Sequence, residues 1–104
     1  MGAQVTLVIL GTFRVPPDRL AAARPVMERM IADSRAEDGC LDYAYAEDIG
    51  TPGLIRVSEV WRDRASLARH MASAHLAEWR AAWPALGIGD RDLRSYDAGD
   101  AEVA

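Results

Sequence analysis

Residues Val5 to Val15, VTLVILGTFRV, form a run rich in branched side chains that is apolar on both faces of an extended chain. Alternation puts Val5, Leu7, Ile9 and Phe13 on one face and Val8 and Leu10 on the other. A strand with two apolar faces has to be covered twice, and the rest of the chain must supply at least one cover.

Pro16-Pro17-Asp18 stops this strand and starts a helix whose inward positions are Leu20, Ala23, Met27, Met30, Ile31 and Ser34. Pro25 lies inside the pattern, where it removes one backbone bond and bends the helix. Gly39 suits a left-handed cap. Cys40 to Glu47 (CLDYAYAE) reads as a second strand with Leu41, Tyr43 and Tyr45 on one face. The turn-forming stretch Asp48 to Gly53 joins it to Leu54 to Trp61 (LIRVSEVW), a hairpin partner that carries Ile55, Val57, Glu59 and Trp61 on one face. Asp63 caps a further helix with Leu67, His70, Met71 and Ala74 on one stripe. Ser73 is placed to restart it, with Leu76, Trp79, Trp83 and Leu86 as the inward row and an end near Pro84 and Gly87. Arg91 to Asp97 is a weak last strand.

The order strand, helix, strand, strand, helix, strand is the α+β, ferredoxin-like β-α-β-β-α-β arrangement around an antiparallel four-stranded sheet. Its helices cover one sheet face only. The first strand is apolar on both, so the open face calls for a second copy of the same sheet, giving a homodimer built as a dimeric α+β barrel. Residues 1–97 are expected to form the domain and 98–104, AGDAEVA, a loose acidic tail.

The chain has 104 residues and a net charge of -4, the scale of one domain without a phosphate-backbone footprint, so nucleic acid is disfavoured as a partner. The longest early apolar run is too short to cross a membrane, and Met1 to Gln4 carries no basic residue of a signal peptide; a cytoplasmic protein is expected. All twelve basic residues are arginine, which removes Schiff-base lysines and a P-loop lysine. Cys40 is the only cysteine, so neither an internal disulfide nor a multi-thiolate metal site can form, and a small buried core residue is its expected role.

Three features carry a resemblance: SRAEDGC before the second strand, Glu59-x-Trp61, and His70 nine residues after the tryptophan with His75 five further on. With them the chain resembles the antibiotic biosynthesis monooxygenase family, above all its cofactor-independent, quinol monooxygenase-like members. The resemblance implies a pocket between sheet and helices for an aromatic ligand, often polycyclic. It also implies oxidation of a phenol or quinol by molecular oxygen without metal or flavin. Other relatives degrade haem. Members that oxidise polyketide rings place an asparagine four residues before the tryptophan, where this chain has Val57. The haem-degrading branch uses an asparagine late in the first strand, where this chain has Gly11-Thr12-Phe13.

Two readings stand beside each candidate residue. His70 faces the sheet with Leu67 and Met71, as a core histidine or as the general base for a phenolic proton, with Glu59 as the group that orients it. Trp61 stacks on an aromatic substrate or fills the core. Tyr43 and Tyr45 bind a substrate oxygen or pack at the sheet interface, and Val57, Leu67 and Met71 are candidate pocket walls. Trp79 and Trp83 read as core anchors or an interface patch. His75 lies about 140° around a continuous helix from His70, which argues against a metal pair; a break at Ser73 would let it cap the second segment or reach the pocket mouth. Three functions remain open: a cofactor-free monooxygenase, a non-catalytic aromatic-ligand-binding homodimer, and a haem protein with His70 as axial ligand.

Overall fold

The computed structural model describes Val5 to Ala104. Met1 to Gln4, on which part of the signal-peptide argument falls, lie outside the described residues. Strand β1 spans Thr6–Arg14, and a 3-10 turn over Pro17–Arg19 leads into helix α1, Leu20–Arg35. The hairpin strands are β2, Cys40–Glu47, and β3, Leu54–Trp61. Helix α2 covers Arg64–Met71, α3 covers Ala74–Leu86, and β4 covers Gly89–Ala98. The sheet has the order β2-β3-β1-β4, and all three pairings are antiparallel, the ferredoxin-like α+β pattern that the element order implies.

Register explains the two faces of β1. Leu7, Ile9 and Phe13 pair with Trp61, Glu59 and Ile55 of β3, and this face is buried beneath the helices together with Val57, Met30, Leu76 and Trp79. Val8 and Leu10 pair with Val60 and Ser58 on one side and with Tyr96 and Arg94 on the other. That second face carries no helix, and Leu10 and Tyr96 are half exposed there.

Both expected helix starts take the form their sequences suggest. The Asp63 carboxylate accepts from the Ser66 backbone at 2.8 Å and from its hydroxyl at 2.7 Å. Ser73 Oγ accepts from the Leu76 backbone at 3.3 Å, so the helical region after Asp63 is two helices rather than one. Gly87 closes α3 in the left-handed conformation.

Several local expectations need correction. A register shift between Cys40 and Asp42 makes Leu41 an extra residue, so it does not join the face of Tyr43 and Tyr45 and is 61% exposed. Tyr43 and Tyr45 pack on the helix-covered face, not on the open one, since they pair with Glu59 and Val57. Cys40 is half-buried rather than fully buried, and burial raises its thiol pKa, with the carboxylates of Glu37 and Glu59 adding to that effect. Met71 ends α2 and is half exposed, and Ala74 belongs to the next helix. The last strand runs two residues earlier and one later than Arg91 to Asp97. Gly99 to Ala104 have no regular structure and are exposed.

Gly39 sets the path from α1 into β2. Its φ of +87° lies in the left-handed region, and a Cβ there would collide with the Ser66 side chain on α2. The Arg62 backbone donates to Gly39 O at 2.8 Å, tying the same turn to the end of β3. Gly39→Ala is therefore expected to lower stability by about 2 kcal/mol or more, read as a fall in the urea midpoint. An unchanged midpoint would contradict this placement of the turn.

Candidate active site

Three segments of chain converge on one carboxylate. Glu37 sits in the turn after α1, where its backbone donates to Ser34 O at 3.0 Å and its carbonyl accepts from Cys40 at 3.2 Å. Its Oε2 lies 2.6 Å from Nδ1 of His70 on α2 and 2.8 Å from Nε2 of His75 at the start of α3. The 140° argument fails because the α-helix breaks at Ala72 and Ser73, which swings His75 back towards His70; the ring centroids are 5.9 Å apart. The three ligand-type atoms lie within 4.8 Å of one another, a donor set that a divalent cation could use, although both nitrogens already hold hydrogen-bond distances to the same oxygen.

His70 is 2% exposed. Removal from water holds its pKa below the ordinary 6.5, against the opposing pull of Glu37, so the ring is neutral at neutral pH. A neutral imidazole facing a carboxylate keeps its proton on the nitrogen that donates, here Nδ1, which leaves Nε2 as a base. Nε2 is 4.0 Å from Glu59 Oε1, too long for a hydrogen bond. The group that orients His70 is therefore Glu37 and not Glu59.

Glu59 is held from the other side. The Trp61 indole N–H donates to Glu59 Oε1 at 2.9 Å, and the Trp61 ring lies 4.6 Å from that of His70. Burial lifts the Glu59 carboxyl to about 7, with Glu37 adding to the rise while the Trp61 N–H and Arg91 oppose it. Trp61 is 0% exposed and does not line the cavity, so the structure does not support it as a stacking surface; it packs behind His70 and fixes Glu59.

The cavity in front of these groups has a volume of about 220 Å³. Tyr43, Tyr45, Val57, Glu59, Leu67, His70 and Met71 all line it. His75 does not; it holds the same Glu37 oxygen as His70. The tyrosine hydroxyls are 2.7 Å apart, and burial pushes both above the ordinary phenol range, so both keep their protons and one O–H remains free to donate. Trp79 and Trp83, read from sequence as core or interface anchors, also form cavity wall, and Phe13 packs against both at centroid distances of 5.8 and 5.4 Å. A benzene-sized ligand fits a cavity of roughly 150 Å³, so this one suits one or two fused rings and is cramped for a haem macrocycle.

Sequence reasoning missed Glu37, Arg80 and Arg91. Glu37 stands inside SRAEDGC, two residues before the strained glycine, and that adjacency was its one signal. Arg80 follows Trp79 on α3, and Arg91 lies in β4, whose sequence pattern is faint.

Comparison with known proteins bears on the family and the fold. A family model described as antibiotic biosynthesis monooxygenase matches residues 6–82. An uncharacterized protein of Synechocystis is 28% identical over 102 residues, covering 98% of this chain and 69% of the relative. The Rv0793 protein of Mycobacterium tuberculosis, named as a candidate monooxygenase, is 33% identical over 75 residues, covering 72% of this chain and 73% of its own. A crystal structure from Deinococcus radiodurans, described as a candidate antibiotic biosynthesis monooxygenase, superposes with a TM-score of 0.88 at 26% identity, covering 94% of this chain and 97% of that one.

The raised Glu59 pKa makes a stability prediction. Below pH ~4.5 folded and unfolded chains both hold this proton; from there to about 7 only the folded chain does. Stability then falls as pH rises, by at most about 1.4 kcal/mol per unit, and levels off above 7. Glu59→Gln keeps an acceptor for Trp61 and removes the titration, so its stability relative to wild type should climb by a few kcal/mol between pH 4.5 and 7.5 in urea melts. A constant difference across that range would contradict the assignment.

Proposed function

We propose that this chain, which belongs to the antibiotic biosynthesis monooxygenase family, oxidises an electron-rich phenol or quinol of one or two fused rings with molecular oxygen. One observation carries the reading. His70 presents an unbonded Nε2 across the cavity, 4.0 Å from Glu59, while Glu37 holds the opposite ring nitrogen at 2.6 Å. A substrate hydroxyl oxygen fits between them at roughly 2.6–3.2 Å from each.

In this scheme Nε2 takes the phenolic proton, and Glu37 accepts from the imidazolium that forms. The electron-rich anion passes one electron to oxygen. The substrate radical and superoxide join through a new C–O bond, and the resulting peroxide breaks its O–O bond with loss of water to leave a quinone. Phenol plus oxygen thus gives quinone plus water with no outside reductant. Glu59, protonated below about pH 7, can donate to the substrate oxygen, and the aromatic walls hold the ring and exclude water. Neither metal nor flavin takes part.

The open sheet face supports assembly into a homodimer. Val8, Leu10, Val60 and Tyr96 share that face with Ala44, Ala46 and Ser58, and a second copy would bury it. Leu10→Glu should convert dimer to monomer in sedimentation experiments; a wild-type chain that sediments as a monomer would refute the dimer.

Turnover is tested on a panel of quinols and anthrones with metal-free, flavin-free protein. Quinone formation should require oxygen, consume one O2 per quinone and fall roughly a hundredfold to ten-thousandfold in His70→Ala. Binding of these rings without turnover above the uncatalysed rate would make the protein a ligand-binding module instead.

A further inference from the structure

Arginine pairing on this chain is lopsided. Ten of the twelve arginines hold a carboxylate, a hydroxyl or a backbone carbonyl of the fold. The remaining two, Arg80 and Arg91, have no ion pair or hydrogen bond among the described residues, and both line the cavity. They come from different elements, α3 and β4, so their meeting at one opening is a product of the fold. In a chain of net charge -4, with sixteen acidic side chains available, the unpaired arginines among the described residues thus meet at a cavity that also holds a base.

The other charges around the opening do not answer them. Arg94 also lines the cavity and is taken by Asp92 at 3.2 Å. The carboxylate among the lining residues is Glu59, which is 3% exposed and already accepts from Trp61. A further donor on the wall, the Trp83 indole N–H, is buried and has no partner. Unused hydrogen-bond capacity in the cavity is therefore weighted towards donors, and two of those donors carry full charge on exposed, planar, forked groups suited to a carboxylate.

We propose that the cavity selects an aromatic acid: a one- or two-ring phenol whose carboxylate is held by Arg80 and Arg91 at the opening while its hydroxyl reaches His70. This rests on the cavity being the ligand site, as in the function above, and adds the substrate's charge and its orientation. The ring lies along Phe13, Trp79 and Trp83, with the acid end at the arginines. An uncharged quinol makes the ring contacts and leaves both guanidinium groups with water alone.

The test compares 2-naphthol with 6-hydroxy-2-naphthoate, which differ by a carboxylate at the end opposite the hydroxyl, by titration calorimetry on the full chain. The acid is expected to bind roughly tenfold more tightly at low salt, with the advantage shrinking in 0.5 M NaCl. Arg80→Gln and Arg91→Gln, both at exposed positions, should each reduce that advantage, read as the ratio of the two dissociation constants in the same variant. Binding of 2-naphthol with no preference for the acid overturns this proposal and leaves the oxidation scheme standing, as does a preference that survives both substitutions. Failure of both compounds to bind overturns the ligand site itself, and this proposal with it.

Discussion

One carboxylate oxygen joins the parts of this molecule that matter for chemistry. Glu37 Oε2 accepts from an imidazole of α2 and from an imidazole of α3, while its backbone is fixed by α1 and by the first residue of β2. Four elements therefore meet at this one group. The turn that carries it is held in place by the left-handed Gly39 against Ser66, which in turn bonds the Asp63 cap of α2. Moving any of these would turn His70 in its socket, because that ring is bonded at one nitrogen and packed between Tyr43 and Trp61. A base with one allowed orientation and one allowed proton position is the product of this joint.

Burial divides the acid–base work between two neighbouring groups. Water exclusion acts against the charged form of each, so it lowers His70 and raises Glu59. The result near neutral pH is a neutral imidazole facing a carboxyl group that holds a proton for part of the time, 4.0 Å apart. Two ionised partners at that distance would form a closed ion pair and block the site. Trp61 serves this division by bonding Glu59 and backing His70, which explains a buried tryptophan beside the site better than contact with a substrate does.

Much of the fold was legible because periodicity and turn chemistry agree along the chain. The two-faced β1, the hairpin strands with their bounds, the Asp63 and Ser73 caps and the αL glycine after α3 all follow from local patterns. Leu41 was misplaced because a bulge adds a residue without any mark in an alternating sequence. Most of the residues read as candidate pocket walls line the cavity, since a stripe on a helix and a face on a strand point at each other when the helix crosses that face. Glu37 and the two arginines were invisible for a different reason. The partners of Glu37 are 33 and 38 residues away, and the two arginines reach one cavity from different elements; meetings at that range are set by tertiary packing, not by spacing. The 140° between His70 and His75 belongs to an unbroken helix, and the break at Ser73 brings their ring centroids to 5.9 Å.

The most direct measurement is the protonation and tautomer of His70, read from the two imidazole nitrogen shifts in 15N-labelled protein across pH 5 to 9. The ring is expected to be neutral at pH 7, with its proton on Nδ1 towards Glu37 and a bare Nε2 facing the cavity, and to shift to the other tautomer or a mixture in Glu37→Gln. A ring that is charged at pH 7, or that carries its proton on Nε2 in the wild type, would contradict it, because no base would then face the substrate.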